Sequence, residues 1–212
     1  MKKIAALIAL FAAAHANASL ISFQTGYSAA GPQATAEAYR DVVEAAVAAP
    51  GAGYGVTNIA SYNNISNQSI FGGSYTNVAF KSTIQFGVQG NQAGTWTIRA
   101  GVDFGRGGAI FLDGQAVAFR NTDMWWAGNY NNPSQYFQFS GNIAAGNHTL
   151  TVYGLENCCD GGQQIQYNFG QGFQSFNNQT LNPVPEPETY ALLLAGLGAV
   201  GMLSRRRQQK LA

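Results

Sequence analysis

The two cysteines of the chain are adjacent, and sulfur chemistry is the first chemistry that the sequence offers. Cys158 and Cys159 are the only cysteines among 212 residues, so they form a vicinal disulfide, remain free thiols or bond to other chains. Adjacent Cα atoms lie about 3.8 Å apart across a trans peptide, below the usual disulfide range of about 4.4 to 6.8 Å. We favour the vicinal bridge, with a strained or cis peptide, as a brace for a loop beside a binding surface. A zinc site is disfavoured because no histidine or third thiol is near.

Carboxylates offer a second chemistry. Asp103 and Asp113 could bind calcium, which needs hard oxygen ligands, and calcium is the only cofactor that the sequence suggests. Aspartates also shape turns through hydrogen bonds between side chain and backbone, so this interpretation stays open beside the metal. A glycosidase would need two carboxylates across a cleft, but their spacing singles out no pair. No Gly-X-Ser-X-Gly elbow or metal-hydrolase pair is present, and we predict no catalytic residue.

Aromatic rings in a loop could provide a surface for sugar rings. Trp125, Trp126 and Tyr130 lie in a stretch full of Asn and Gly, so we expect at least one ring to be exposed. The alternative is that both tryptophans cap the core of the domain. These three aromatics and Asp160, which follows the cysteine pair, are the predicted ligand-binding residues.

The charge of the chain excludes one class of partner. Residues 19–183 hold five basic and eight acidic side chains, a net charge of about −3. The net charge of +1 for the whole chain therefore comes from the residues outside this range. A charge-poor, mildly acidic domain neutralises few phosphates, which argues against nucleic acid. Its surface must be rich in amides, hydroxyls and aromatic rings, which suit neutral sugars but are also common in secreted β-proteins.

One helix and many short strands must position these residues. Apolar residues at helical spacing predict a helix over Gln33–Ala49, which Pro50-Gly51 ends. Short alternating runs bounded by Gly and Asn then predict strands, with a hairpin turn at Asp113-Gly114. The fold class is all-β, an antiparallel, jelly-roll-like β-sandwich over residues 19–169 with one N-terminal helix. The predicted strands are Val78–Val88, Gly94–Val102, Ala109–Leu112, Gln115–Arg120, Tyr136–Phe139, His148–Tyr153 and Ile165–Phe169.

Both ends of the chain look like targeting segments. Residues 1–18 have a charged start, an apolar stretch and the small residues Ala16 and Ala18, as in a secretory signal peptide. Residues 170–183 are rich in Gln, Asn, Gly and Ser and predict a flexible spacer. Residues 184–212 hold a Pro-Glu-Pro triplet, a short apolar run over Tyr190–Leu203 and an arginine cluster. That run spans a bilayer poorly, because a stable transmembrane helix needs about 20 residues.

The C-terminal tail resembles the PEP-CTERM signal of Gram-negative bacteria that make extracellular polysaccharide. The resemblance rests on the short apolar span and on the two motifs that flank it, which are Pro185, Glu186 and Pro187 before it and Arg205, Arg206 and Arg207 after it. It implies recognition by an exosortase, transient anchoring in the inner membrane, cleavage near the triplet and delivery to the cell surface or extracellular matrix. The phrase Cys-Cys-X-Gly also resembles a named subgroup of these proteins.

The central region resembles a second family, the protective-antigen-type β-sandwich shared with yeast flocculins. This likeness covers residues 96–156 and rests on the hairpin at Asp113-Gly114 and on a later strand of pattern small-Gly-X-His-X-Leu-X-Val. The family commonly binds glycans, in some members through calcium on adjacent aspartates. Here Phe104 follows Asp103, so the paired-aspartate motif is absent.

These features predict a secreted, non-catalytic module that binds extracellular polysaccharide. A purely structural matrix or coat protein is the alternative, and a carboxylate-based glycoside hydrolase is a weaker one. Whichever of these roles the protein has, we expect the exosortase and the inner membrane to be transient partners.

Overall fold

A computed structural model describes residues 19–184 and 194–201. The described part is mostly antiparallel β-sheet, which confirms the predicted all-β class with a helix near its N-terminus. The predicted signal peptide over residues 1–18, the triplet at 185–187 and the arginines at 205–207 lie outside the described residues. Residues 194–201 form a helix. Within the described ranges, every helix is too short or too polar to cross a membrane.

Two sheets stack to form a β-sandwich. The larger has the strand order β2-β1-β4-β9-β6-β7, and the smaller has the order β11-β10-β5-β8, with β3 also paired to β10. All pairings are antiparallel. The strands are β1 Leu20–Tyr27, β2 Val56–Asn58, β3 Asn63–Ile65, β4 Thr76–Val88, β5 Gly94–Gly101, β6 Gly108–Leu112, β7 Gln115–Arg120, β8 Phe137–Ile143, β9 Gly146–Cys158, β10 Gln163–Asn168 and β11 Gln174–Ser175.

The main core lies between the two sheets and is rich in aromatic residues. Alternate positions of β5 point inward, so Trp96 and Ile98 are fully buried. The Trp96 ring contacts Tyr167 with the ring centres 5.5 Å apart and Phe86 with the centres 5.8 Å apart. Each such ring removes a large apolar area from water, roughly 1.5–3 kcal/mol per fully buried side chain. This inner layer fixes β5 and β10, and the loops at the ends of these strands contain several of the predicted site residues.

A smaller core holds the helix on the outer face of the larger sheet. Helix α1, Ala36–Val47, begins at Thr35, whose side chain accepts a hydrogen bond from the Ala38 N–H. Tyr39 and Val43 are fully buried, and they pack with apolar residues of β4, β6 and β9. A second, five-residue helix, α2, Asn67–Phe71, precedes β4. The structure thus has the predicted first helix, with shorter bounds, and a short helix that the sequence pattern did not predict.

Several strands are longer than their sequence patterns predict. β8 continues through Ser140-Gly141-Asn142, which the sequence presents as a turn, because these residues pair with β5 at Thr97, Trp96 and Thr95. β1 has no sequence prediction, although Ile21, Phe23 and Thr25 alternate inward. The spacer also differs from its prediction. Gln174–Ser175 form β11 and Phe176 is 1% exposed, so this segment packs on the domain.

Candidate functional site

The loops at one end of the sandwich bring together most of the residues predicted to bind a ligand. β5 and β9 both end here, β10 begins here, and the loop between β7 and β8 folds over them. We call this end the loop face. It comprises Asp103, Trp125, Trp126, Tyr130, Glu156, Cys158, Cys159 and Asp160.

Glu156 organises the backbone of the loop face. It lies near the end of β9 and is 1% exposed. One carboxylate oxygen accepts the Gly105 N–H and the other accepts the Cys158 N–H, both at 2.6 Å. Burial raises the pKa of Glu156, and these backbone hydrogen bonds oppose the rise. The side chain therefore joins the loop after β5 to the cysteine loop after β9.

Two more acidic side chains lie beside Glu156. Burial raises the pKa of Asp103 to about 6, while hydrogen bonds from the Trp126 and Gly161 backbone lower it. Burial also raises the pKa of Asp160 to about 6. Asp160 Oδ2 accepts the Gln68 N–H at 2.9 Å, and hydrogen bonds from the Gln68 and Asn67 backbone and the Ser66 side chain oppose the rise in its pKa. The loop face therefore holds a cluster of acids that ionise less readily than in water.

The cysteine pair forms the predicted vicinal disulfide. Cys158 and Cys159 are bonded to each other across a cis peptide bond. Both side chains are exposed. The next residue, Asp160, donates its N–H to the Tyr75 carbonyl at 2.9 Å. The turn that contains the disulfide is therefore held to the loop face on both sides, by Glu156 at Cys158 and by Tyr75 at Asp160.

The structure separates the roles of the three predicted aromatic residues. Trp125 is 61% exposed. Trp126 is half-buried over Gly101, where any side chain would clash with the indole, and its Nε1 is buried without a partner among the described residues. Tyr130 packs on Trp126 and donates its hydroxyl to the Gln164 carbonyl at 3.0 Å. Trp126 and Tyr130 therefore support the loop, and Trp125 is the ring that it exposes.

The two aspartates predicted to bind calcium are not brought together. Asp103 follows β5 on the loop face, whereas Asp113 lies in the β6–β7 turn at the far end of β6. Asp113 Oδ2 is 2.7 Å from His148 Nδ1, and its Oδ1 accepts the Thr149 N–H at 2.8 Å. Asp113 therefore has the turn-shaping role that was the alternative to metal binding. Among the described residues no group of three or more His, Cys, Asp or Glu side chains is arranged to hold a metal.

The structure adds residues that the sequence did not place at the site. No sequence pattern gave Glu156 a role, and its position near the end of β9 is the signal that could have marked it. Tyr75 is 49% exposed beside Asp160. Its position directly after Gly72-Gly73-Ser74 is the sequence signal that could have identified it as an exposed ring. No sequence pattern links Gln68 to Asp160, because 92 residues separate them.

Comparisons with known proteins agree with this architecture and with the tail. Residues 183–208 match the PEP-CTERM protein-sorting motif. The structure is similar to the PA14 sugar-binding domain from an RTX adhesin (TM-score 0.52, 14% identity, 81% of this chain and 100% of that one). It is also similar to the PA14 domain of the MpAFP antifreeze protein (TM-score 0.51, 13% identity, 77% of this chain and 88% of that one). No curated protein matches the chain. The chain therefore combines a PA14-like β-sandwich with a C-terminal PEP-CTERM sorting motif.

Proposed function

We propose that this protein is a non-catalytic, carbohydrate-binding module that a sorting enzyme delivers to the cell surface or to an exopolysaccharide matrix. The observation that carries the proposal is the Trp125 ring, which is 61% exposed on a loop that Trp126 and Tyr130 hold against the domain. An apolar ring can lie against a sugar face. The vicinal disulfide braces the turn next to this surface.

The PA14 domain of the RTX adhesin, which has a similar fold, is described as sugar-binding, and this supports the same class of ligand here. The sorting motif supports export and surface delivery by an exosortase. The host that we propose is a Gram-negative bacterium, in which the C-terminal helix is a temporary anchor in the inner membrane. The ligand that we propose is an extracellular polysaccharide, bound at the loop face.

A glycan array with purified residues 19–184 tests the binding proposal. We expect saturable binding to at least one polysaccharide fragment. Trp125→Ala should weaken it by tenfold or more, since an aromatic stacking contact is worth about 1.4 kcal/mol. Phe119→Ala is the control, because Phe119 is a partly exposed ring on β7 and should leave binding unchanged.

Running the array with calcium and with chelator tests whether glycan binding requires a calcium ion. The arrangement of the acidic side chains predicts the same binding in both. A loss of binding in chelator would contradict this and would place a calcium ion at the loop face. If the folded domain binds no glycan, the proposal fails, and a structural component of the matrix becomes the better interpretation.

One observation favours the second candidate, a carboxylate-based glycoside hydrolase. The pKa of Asp103 and that of Asp160 are both raised to about 6, which is typical of a general acid. Incubating the domain with any polysaccharide that it binds, and measuring reducing ends, separates the two functions. A binder releases none, whereas a hydrolase should release reducing ends at a rate that Asp103→Asn or Asp160→Asn abolishes.

A further inference from the structure

The segment that leads to the sorting motif is held on the domain up to the residue before Pro185. We call residues 176–184 the strap. Phe176 lies in the main core, and Leu181 is 9% exposed. The Leu181 carbonyl accepts the Gly87 N–H at 2.6 Å, and the Thr180 carbonyl accepts the Ser19 hydroxyl. The strap is therefore part of the folded domain.

One side chain clamps the last residue of the strap. The Asn147 amide nitrogen donates to the Val184 carbonyl at 2.9 Å, and Asn147 Oδ1 accepts the Val184 N–H at 2.6 Å. Both backbone hydrogen-bonding groups of Val184 are thus occupied. The strap also lies so close to β4 that a side chain at Gly87 would clash with the backbone of Asn182 and Pro183.

The clamp is mounted on a rigid part of the sandwich. Asn147 is the second residue of β9 and pairs with Gly87 of β4. Its neighbour His148 is held at both ring nitrogens, with Nδ1 2.7 Å from Asp113 Oδ2 and Nε2 2.9 Å from the Ala144 carbonyl. Asn147 is therefore fixed in place, and the strap must release it to move.

One common mode of peptide recognition pairs the backbone groups of an extended segment with the partner protein, so these groups must be free before the segment is bound. Here the sorting motif begins at residue 183, and two of its residues, Pro183 and Val184, already lie on the domain. We propose that the Asn147 clamp limits the access of the sorting enzyme to its motif, so that the strap detaches before the Pro-Glu-Pro triplet is engaged. This inference rests on the proposed sorting by an exosortase.

The test compares the processing of full-length chains. The wild type and Asn147→Ala are each co-expressed with an exosortase in a Gram-negative host, and the loss of the tail is followed by mass spectrometry. We expect Asn147→Ala to be processed about tenfold faster, because two hydrogen bonds that hold the closed strap are lost. Asn147→Asp, which keeps only the acceptor, should be intermediate. Asn142→Ala, at an exposed site on β8, should match the wild type.

Amide hydrogen exchange on the purified full chains separates the clamp from its consequence. We expect the Val184 and Gly87 N–H groups to exchange faster in Asn147→Ala than in Asn142→Ala. Unchanged exchange would overturn the clamp. Faster exchange with unchanged or slower processing would overturn the control of access. If no chain loses its tail, sorting by an exosortase fails and this inference fails with it, while the exchange still shows whether Asn147 holds the strap.

Discussion

The two ends of the β-sandwich, joined by the thirteen residues of β9, use their side chains in different ways. At the strap end, Asn147 and Asp113 each use both side-chain polar atoms on the protein itself. At the loop face, Trp126 and Tyr130 support the loop, and Trp125 is 61% exposed. The strap end therefore holds the chain together, and the loop face is the end at which we propose that a ligand binds.

The largest effect should come from Glu156, whose two carboxylate oxygens each accept a backbone N–H at the loop face. We expect Glu156→Ala to lower the free energy of unfolding by about 3 kcal/mol, because two backbone N–H groups lose a charged acceptor. Denaturant unfolding of residues 19–184 measures it. Glu37→Ala, at an exposed helix position, should change stability by less than about 0.5 kcal/mol. A similar small change for Glu156→Ala would mean that the loop face lacks this brace.

The next prediction concerns pH and the acids of the loop face. Because the pKa of Asp103 and that of Asp160 are raised from 3.8 to about 6, the folded state binds more protons than the unfolded state between these values. Their contribution to stability is therefore fully present below pH 3.8 and is lost as the pH rises to about 6. Unfolding midpoints across this range should fall less in the Asp103→Asn/Asp160→Asn double variant than in the wild type. Parallel curves would show that neither acid has a raised pKa.

A substitution at the strap end should cause a smaller loss of stability and leave the proposed ligand site intact. We expect His148→Ala to reduce the free energy of unfolding by about 1–2 kcal/mol through loss of its contacts with Asp113 and Ala144. Glycan binding should be unchanged, since His148 lies at the opposite end of β9 from Glu156. Denaturant unfolding and a glycan titration, made on the same preparation of His148→Ala, measure its stability and its affinity. A loss of glycan affinity in the folded variant would show that the two ends of the sandwich do not act independently.

The smallest effect on stability should come from the most exposed ring. Trp125 is 61% exposed, so Trp125→Ala should shift the free energy of unfolding by less than about 0.5 kcal/mol. Trp126→Ala should cost more, because that ring covers Gly101 and packs on Tyr130. Thermal unfolding of the two variants side by side makes the comparison. Equal losses would mean that Trp125 also supports the loop.

Local sequence patterns predicted most of the regular elements. Helix α1 follows from apolar residues at helical spacing, and the β6–β7 hairpin follows from Asp113-Gly114, where both residues have positive φ. β1 was missed because it lies close to the predicted signal peptide, although its alternation was readable. The flexible spacer was predicted from Gln, Asn and Gly content, which does not show that Phe176 and Leu181 are buried.

The sequence by itself determined the targeting tail, the all-β class and the adjacent cysteines, because each of these depends on residues close together in the chain. Only the tertiary structure decided which loops meet. Asp103, Trp125 and Asp160 come from three separate segments of the chain. The pairing of β5 with β10 places the end of β5 and the start of β10 on the same side of the sandwich. Tertiary packing also decided that Trp126 is covered while Trp125 is exposed, and that Asn147 reaches Val184. Contacts between distant residues depend on strand order and register, and short alternating patterns leave these open.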